Sequence, residues 1–257
     1  MTLIDLILEE RKILSNNILP ESEKLENQQK IVDKIKLLIK AGAEVNAKDE
    51  HFGYTALMLS YTAETTQLLI DGGANVNARD KNGETALMWA SAQGATDRVK
   101  LLINAGADIN AMDDVFGNTS LMRARTPEVA QLLIDAGTDV NLFAKYGWTA
   151  LEQSVGFGQY EKIKILLAAG ANINAKNTLD GKTALMEASG VGQAEIVKLL
   201  INAGANVNDK DKEGHNAIWY AQNHADKRVC HFGIQPAKEE EYSKIIELLK
   251  KSGAQEK

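Results

Sequence analysis

A single cysteine, Cys230, stands in 257 residues. No disulfide framework is available, and a reducing compartment is expected. Positive charge is in deficit: 29 Lys and Arg against 35 Asp and Glu give a formal net charge of −6. With a pI near 5.4, that balance argues against nucleic acid and against an anionic membrane surface. No apolar run reaches the length of a bilayer span. The opening stretch MTLIDLILEERKIL is apolar but carries Asp5, Glu9 and Glu10. Without a basic n-region or a small-residue cleavage site, it is not expected to be a signal peptide. Gly-rich phosphate loops, low-complexity segments and linkers are all missing. So are the Cys-x-x-Cys and His-x3-His spacings of a structural zinc site.

What is there is a repeat. Gly83 to Asn110 reads GETALMWASAQGATDRVKLLINAGADIN. Thr85 is suited to cap a helix, its hydroxyl accepting from an unpaired first-turn amide. Ala86 to Ala90 continue that helix, and Gln93-Gly94 breaks it. Val99, Leu102 and Ile103 follow at helical spacing, so a second amphipathic helix runs to about Asn104. Gly106 falls where a helix end takes a left-handed residue. Neither helix is long enough to be stable alone, so each unit needs neighbours. A Gly before the start signal recurs at Gly53, Gly83, Gly117, Gly147, Gly181 and Gly214. The closing Gly recurs at Gly42, Gly73, Gly106, Gly137, Gly170, Gly204 and Gly253. Spacings of about 33 residues with this content indicate a solenoid.

Here the chain resembles the ankyrin-repeat family. Thr-Ala-Leu-Met-x-Ala stands where those repeats have Thr-Pro-Leu-His-x-Ala. Leu-Leu-Ile-x-Ala-Gly-Ala-x-Val-Asn-Ala is similar to their second helix and hairpin. The resemblance covers about residues 26 to 222 and returns at 241 to 254. It implies an all-α solenoid of helix–turn–helix units with short β-hairpin loops and capped ends. One domain, 1–257, is expected: an N-terminal cap over 1–45, five full repeats over 46–207, and 208–257. That last stretch holds a sixth repeat with an insertion at 223–238 and a C-terminal capping helix. In the cap, helices are expected at 3–14 (face Leu3, Ile4, Ile7, Leu8) and about 26–41 (Ile31, Ile35, Leu38, Ile39). The closing helix is expected at 240–251.

A second period overlies the first. Gly53 to Gly117, Gly83 to Gly147, and Gly117 to Gly181 are each 64 residues apart, which suggests duplication of a two-repeat unit. The copies starting at Thr55 and Thr119 are three residues short in the turn between helices. Thr62 and Thr126 are expected to cap the second helices there, with Pro127 at the first helical position. The deletion reads as a tolerated loop change; the alternative is a step opened in the groove. Asp80, Asp113, Asn177 and Asp211 read as turn formers, and Met58, Met88, Met122 and Met186 as core.

The family resemblance places the hairpins and first helices on a concave face, and most aromatic residues fall on that side. Interfaces are enriched in aromatics and Arg. The expected partner-binding residues are Phe52, Tyr54, Leu59, Arg79, Lys81, Trp89, Phe116, Arg123, Phe143, Tyr146, Trp148, Gln153, Phe157, Glu187 and Tyr220, with Lys176 and Lys212 flanking. The reading is a soluble, cytoplasmic, monomeric, non-enzymatic protein with no cofactor and no metal. It binds another protein, as scaffold, inhibitor or toxin-neutralising partner, and binds neither nucleic acid nor membrane. One rival is an enzyme or metal-dependent protein using His224, Cys230 and His231 of the insertion. Another is a structural unit that self-associates by its ends.

Overall fold

The first helix of every repeat starts on an oxygen-bearing side chain. Thr55, Thr85, Thr119, Thr149 and Thr183 accept from the amide three residues on, at 3.3–3.4 Å. Asn216 does the same for Trp219 N at 3.2 Å. These bonds satisfy donors that a helix start leaves open. The computed structural model describes residues 2–16, 18–223 and 237–255. Among the described residues the chain is all helical, a repeat solenoid with one isolated bridge, Lys48 to Thr55.

The opening pair is α1 (Leu3–Leu14) and α2 (Glu21–Lys40). Then come α3 (Ala56–Leu59) with α4 (Ala63–Asp71), α5 (Ala86–Gln93) with α6 (Thr96–Asn104), and α7 (Ser120–Arg123) with α8 (Pro127–Asp135). They are followed by α9 (Ala150–Gly156) with α10 (Tyr160–Ala168), α11 (Ala184–Val191) with α12 (Ala194–Asn202), and α13 (Ala217–Asn223) and α14 (Glu239–Lys251). The chain forms two compact units, residues 1–115 with 123–138 and residues 116–122 with 139–257. In the first, α1, α3 and α5 stack in order, and so do α2, α4, α6 and α8. In the second, α9, α11 and α13 stack, and α12 packs on α14.

Two expectations about the cap are corrected. Helix α2 starts at Glu21, five residues before the expected 26, because Pro20 precedes it and Glu21 and Glu23 favour its positive end. The buried face of α1 is Leu3, Leu6, Ile7 and Glu10, whereas Leu8 is exposed. Glu10 is fully buried and accepts from Thr65 Oγ1 at 2.9 Å and Thr62 Oγ1 at 3.1 Å. Burial pushes its carboxyl up, against the pull of those hydroxyls.

Successive repeats are stitched by one amide side chain. Asn46 donates to Gly73 O at 3.1 Å and accepts from Asn75 N at 2.7 Å. Asn77 bonds Gly106 O and Asp108 N in the same way. In the second unit Asn141 bonds Gly170 O and Asn172 N, and Asn208 bonds Gly253 O and Gln255 N. The hairpin tips are joined by backbone bonds. Lys81 N donates to Phe52 O and Asp114 N to Asn82 O; in the second unit Lys145 N donates to Phe116 O and Thr178 N to Tyr146 O. Gly147 allows the last of these approaches: at φ +77°, any Cβ there would collide with Thr178.

The short repeats leave one-turn helices, α3 and α7, whose last carbonyls lack helical partners. A buried basic side chain from the following repeat reaches into each short repeat, at α4 in the first and at α7 in the second. Arg98 is 1% exposed; its Nε donates to Thr66 Oγ1 at 3.2 Å and its Nη1 to Gln93 Oε1 at 2.6 Å. Lys162 is 2% exposed and donates to Met122 O, in α7, at 3.2 Å. Each lies thirteen residues after the threonine cap of its repeat. The repeat starting at Thr183 follows a full-length neighbour and has Ile196 at that place.

Leu102 and Leu200 are both fully buried, so truncation of either to Ala should cost roughly 2–5 kcal/mol. Repeat contacts are local. Hydrogen exchange on Leu102→Ala should lose protection in the first unit, around α4 to α8, with the second unit unchanged. Uniform loss along the chain would contradict this.

Burial lowers the Lys162 amine from 10.5 to about 7. Between those pH values the unfolded chain binds a proton that the folded chain does not. Stability should therefore fall by about 5 kcal/mol as pH drops from 10.5 to 7, and level off below. Urea unfolding in a pH series should show that slope in the parent and its loss in Lys162→Met.

Candidate protein-binding site

The second unit carries a cavity of about 310 Å³. Two hairpins and one helix shape it. Phe116 and Tyr146 precede Gly117 and Gly147 at the hairpin tips, where their carbonyls take the bonds from Lys145 N and Thr178 N. This fixes the backbone and turns the rings outward; Phe116 is 53% exposed and Tyr146 50%. Trp148 sits just before the Thr149 cap. Gln153 and Gly156 follow on α9, and Phe157 ends it. Ala144 and Asn118 complete the wall. Gln153 Nε2 donates to Asn118 Oδ1 at 2.7 Å. No lining residue is charged.

The inward side of α9 differs. Glu152 is buried where most other repeats have Met, and its carboxylate accepts from Thr149 N at 2.9 Å, closing a capping box. Burial pushes that carboxyl up to about 7, and Asp180 adds to the shift; the bonds to Thr149 oppose it.

In the first unit the rings form a row. Phe52 stacks on Tyr54 with centroids 5.1 Å apart, and Tyr54 meets Trp89 edge-on at 5.2 Å. Trp89 is half-buried, and its indole N–H is buried with no acceptor. Arg123 is tied down, with its Nη2 bonded to Glu84 and, at 3.0 Å, to Asp113, whose side chain is fully buried.

Phe52, Lys81, Phe116, Phe143, Tyr146 and Phe157 are exposed; Tyr54, Arg79, Trp89, Arg123, Trp148 and Gln153 are half-buried. Three expected residues are corrected. Leu59 is 8% exposed, at the end of one-turn α3. Glu187 is 3% exposed on α11, every residue of which is buried. Tyr220 is 4% exposed, its hydroxyl donating to Asp211 at 2.5 Å and its ring covered by Lys182 Nζ at 4.7 Å. All three side chains are nearly closed to solvent in the free chain.

The expected hairpin cations also have internal duties. Arg79 Nη2 donates to Met112 O at 2.7 Å, Lys81 Nζ to Glu50 O at 2.7 Å and Lys176 Nζ to Lys210 O at 2.8 Å. Lys212 Nζ donates to Thr178 O. Asp80, Asn177 and Asp211 do form turns, accepting from amides two to four residues on.

The sequence reading missed Asn118, Ala144 and Gly156. A signal existed for the first: Asn118 shares its repeat position, just after the hairpin Gly, with the expected Tyr54 and Trp148. His224, Cys230 and His231 lie outside the described residues. Among the described residues, no three His, Cys, Asp or Glu side chains gather as a metal would need. Among those residues no helix is long and apolar enough to cross a membrane either.

A family model described as "Ankyrin repeats (3 copies)" matches residues 26–113 and 111–177, and one described as "Ankyrin repeat" matches 180–212. A curated relative is R664 of Acanthamoeba polyphaga mimivirus, whose name describes an ankyrin repeat protein. It is 48% identical over 46 residues, which is 18% of this chain and 28% of the viral protein. The chain thus spans under a third of that relative's length.

Arg123→Ala would leave Asp113 buried without this ion pair. Loss of one partner of such a pair costs on the order of 3 kcal/mol. Thermal unfolding should show that loss, and any change in partner affinity should disappear when binding is measured well below the melting point. A melting point equal to the parent's would count against a structural role for Arg123.

Proposed function

Because the chain belongs to the ankyrin-repeat family, whose repeats generally mediate binding to other proteins, we propose that it is a non-enzymatic protein-binding module. The side of hairpins and first helices is its working face. The cavity ringed by Phe116, Tyr146, Trp148 and Phe157 carries the reading. Those rings fall on loop tips and helix ends, while the second-helix bodies bury aliphatic side chains. A core has no need for rings half open to water, whereas interface centres concentrate aromatic anchors. The negative charge disfavours nucleic acid as the partner. The same reading makes the chain a cytoplasmic monomer acting as scaffold or inhibitor.

Affinity capture from the native host, with the bound protein identified by mass spectrometry, supplies the partner. Tyr146→Ala and Phe157→Ala remove rings that are half exposed, so melting temperatures should stay within a degree or two of the parent. Affinity should fall about thirtyfold for an anchor worth about 2 kcal/mol. Unchanged affinity in both variants would remove this face from the interaction. Light scattering that shows mass rising with concentration would favour self-association instead.

A further inference from the structure

Gly156 has no backbone reason to be glycine. It lies within α9, its φ is outside the left-handed region, and an added Cβ would meet nothing nearer than Glu187 Oε1 at 4.0 Å. Gly72 is different, because a Cβ there would lie 2.9 Å from Ile39 Cγ2. The equivalent position in the repeat starting at Thr85 holds Ala92, so the fold tolerates a methyl there. Glycine in a helix is less favourable than alanine by roughly 1 kcal/mol. What the missing side chain does provide is room: Gly156 lines the cavity.

The cavity's chemistry restricts the occupant. Its walls are aromatic rings, and its polar marks are the Asn118–Gln153 amide pair and the ring heteroatoms. A charged group placed there would lose hydration with no opposite charge among the lining residues, and the nearest carboxylate, Glu187, is itself buried behind Gly156. Complementarity at this site is therefore between neutral groups. At about 310 Å³, the space is at the small end of the ~300–1,000 Å³ usual for ligand pockets. It suits one large side chain. The half-exposed rings at the rim continue the apolar surface outward, as an anchor carried on a longer chain would use.

We propose that this cavity seats one bulky uncharged side chain (Leu, Met, Phe or Trp) from an extended segment of a partner protein. The segment's backbone crosses Gly156 and is hydrogen-bonded by the Asn118–Gln153 pair. The proposal rests on the protein-binding reading above and specifies its anchor.

A phage-displayed library of random dodecapeptides, panned on the full chain, tests it. Enriched peptides are then measured by fluorescence anisotropy against the parent, Gly156→Ala and Gly156→Leu. Enriched peptides should share one Leu, Met, Phe or Trp, and its replacement by Ala should weaken binding at least thirtyfold. Gly156→Leu should weaken binding at least tenfold with the melting temperature unchanged or raised. If Gly156→Leu melts lower, Gly156→Ala decides, with a smaller loss expected. Peptides that depend on a charged residue, or that bind both variants within twofold of the parent, overturn the proposal. Failure to enrich any peptide overturns it too, and toluene shifting the Trp148 indole resonance in that case would mark a small-molecule cavity. A captured host partner indifferent to Gly156→Leu would remove this anchor while leaving protein binding intact.

Discussion

An amide side chain that bonds at both ends holds this chain in register. Asn46, Asn77, Asn141 and Asn208 each donate to a carbonyl and accept from an amide in the next repeat. Both target groups lie just past the second helix, where the backbone has no helical partner of its own. One side chain thus closes a helix end and fixes the distance to the next hairpin. The hairpin-tip bonds, such as Lys81 N to Phe52 O and Thr178 N to Tyr146 O, depend on that distance. The carbonyls of Phe116 and Tyr146 take two such bonds, and their rings stand half exposed beside them. The candidate site is thus built on hairpin-tip positions that these backbone bonds hold.

The arrangement of repeats was legible because its signals are local. A threonine three residues before the amide it caps, or a glycine with left-handed φ at a helix end, needs no knowledge of tertiary contacts. That is why Thr62, Thr126 and Asn216 could be placed from sequence, and why Pro127 sits at a helix start. The start of α2 was misplaced for a related reason: a proline and two glutamates mark it, and no threonine does.

The site was less legible. Position in the repeat says which side of the unit a residue occupies and not whether a neighbour covers it. Leu59, Glu187 and Tyr220 share a repeat position with Trp89 and Gln153, yet they are buried by contacts specific to each repeat. Arg123 looked like an anchor because arginine favours interfaces, but Glu84 and Asp113 hold it. Glu10 gave no sign of burial, since a glutamate on a short helix reads as solvent-facing until Thr62 and Thr65 are brought to it. Gly156 was invisible for the opposite reason: its importance lies in the space beside it, and sequence does not record space.

The pairing of each shortened turn with a buried cation bears on inheritance. Each repeat that is three residues short receives a buried basic side chain from the next one: Arg98 bonds the Thr66 hydroxyl and Lys162 bonds Met122 O. Loss of the three residues and gain of the cation are thus a single trait spread over two copies. Separating them would leave Thr66 or Met122 without its donor on one side of the junction and a buried basic group without its acceptor on the other. The 64-residue period of the sequence keeps both halves of that pairing within one two-repeat unit.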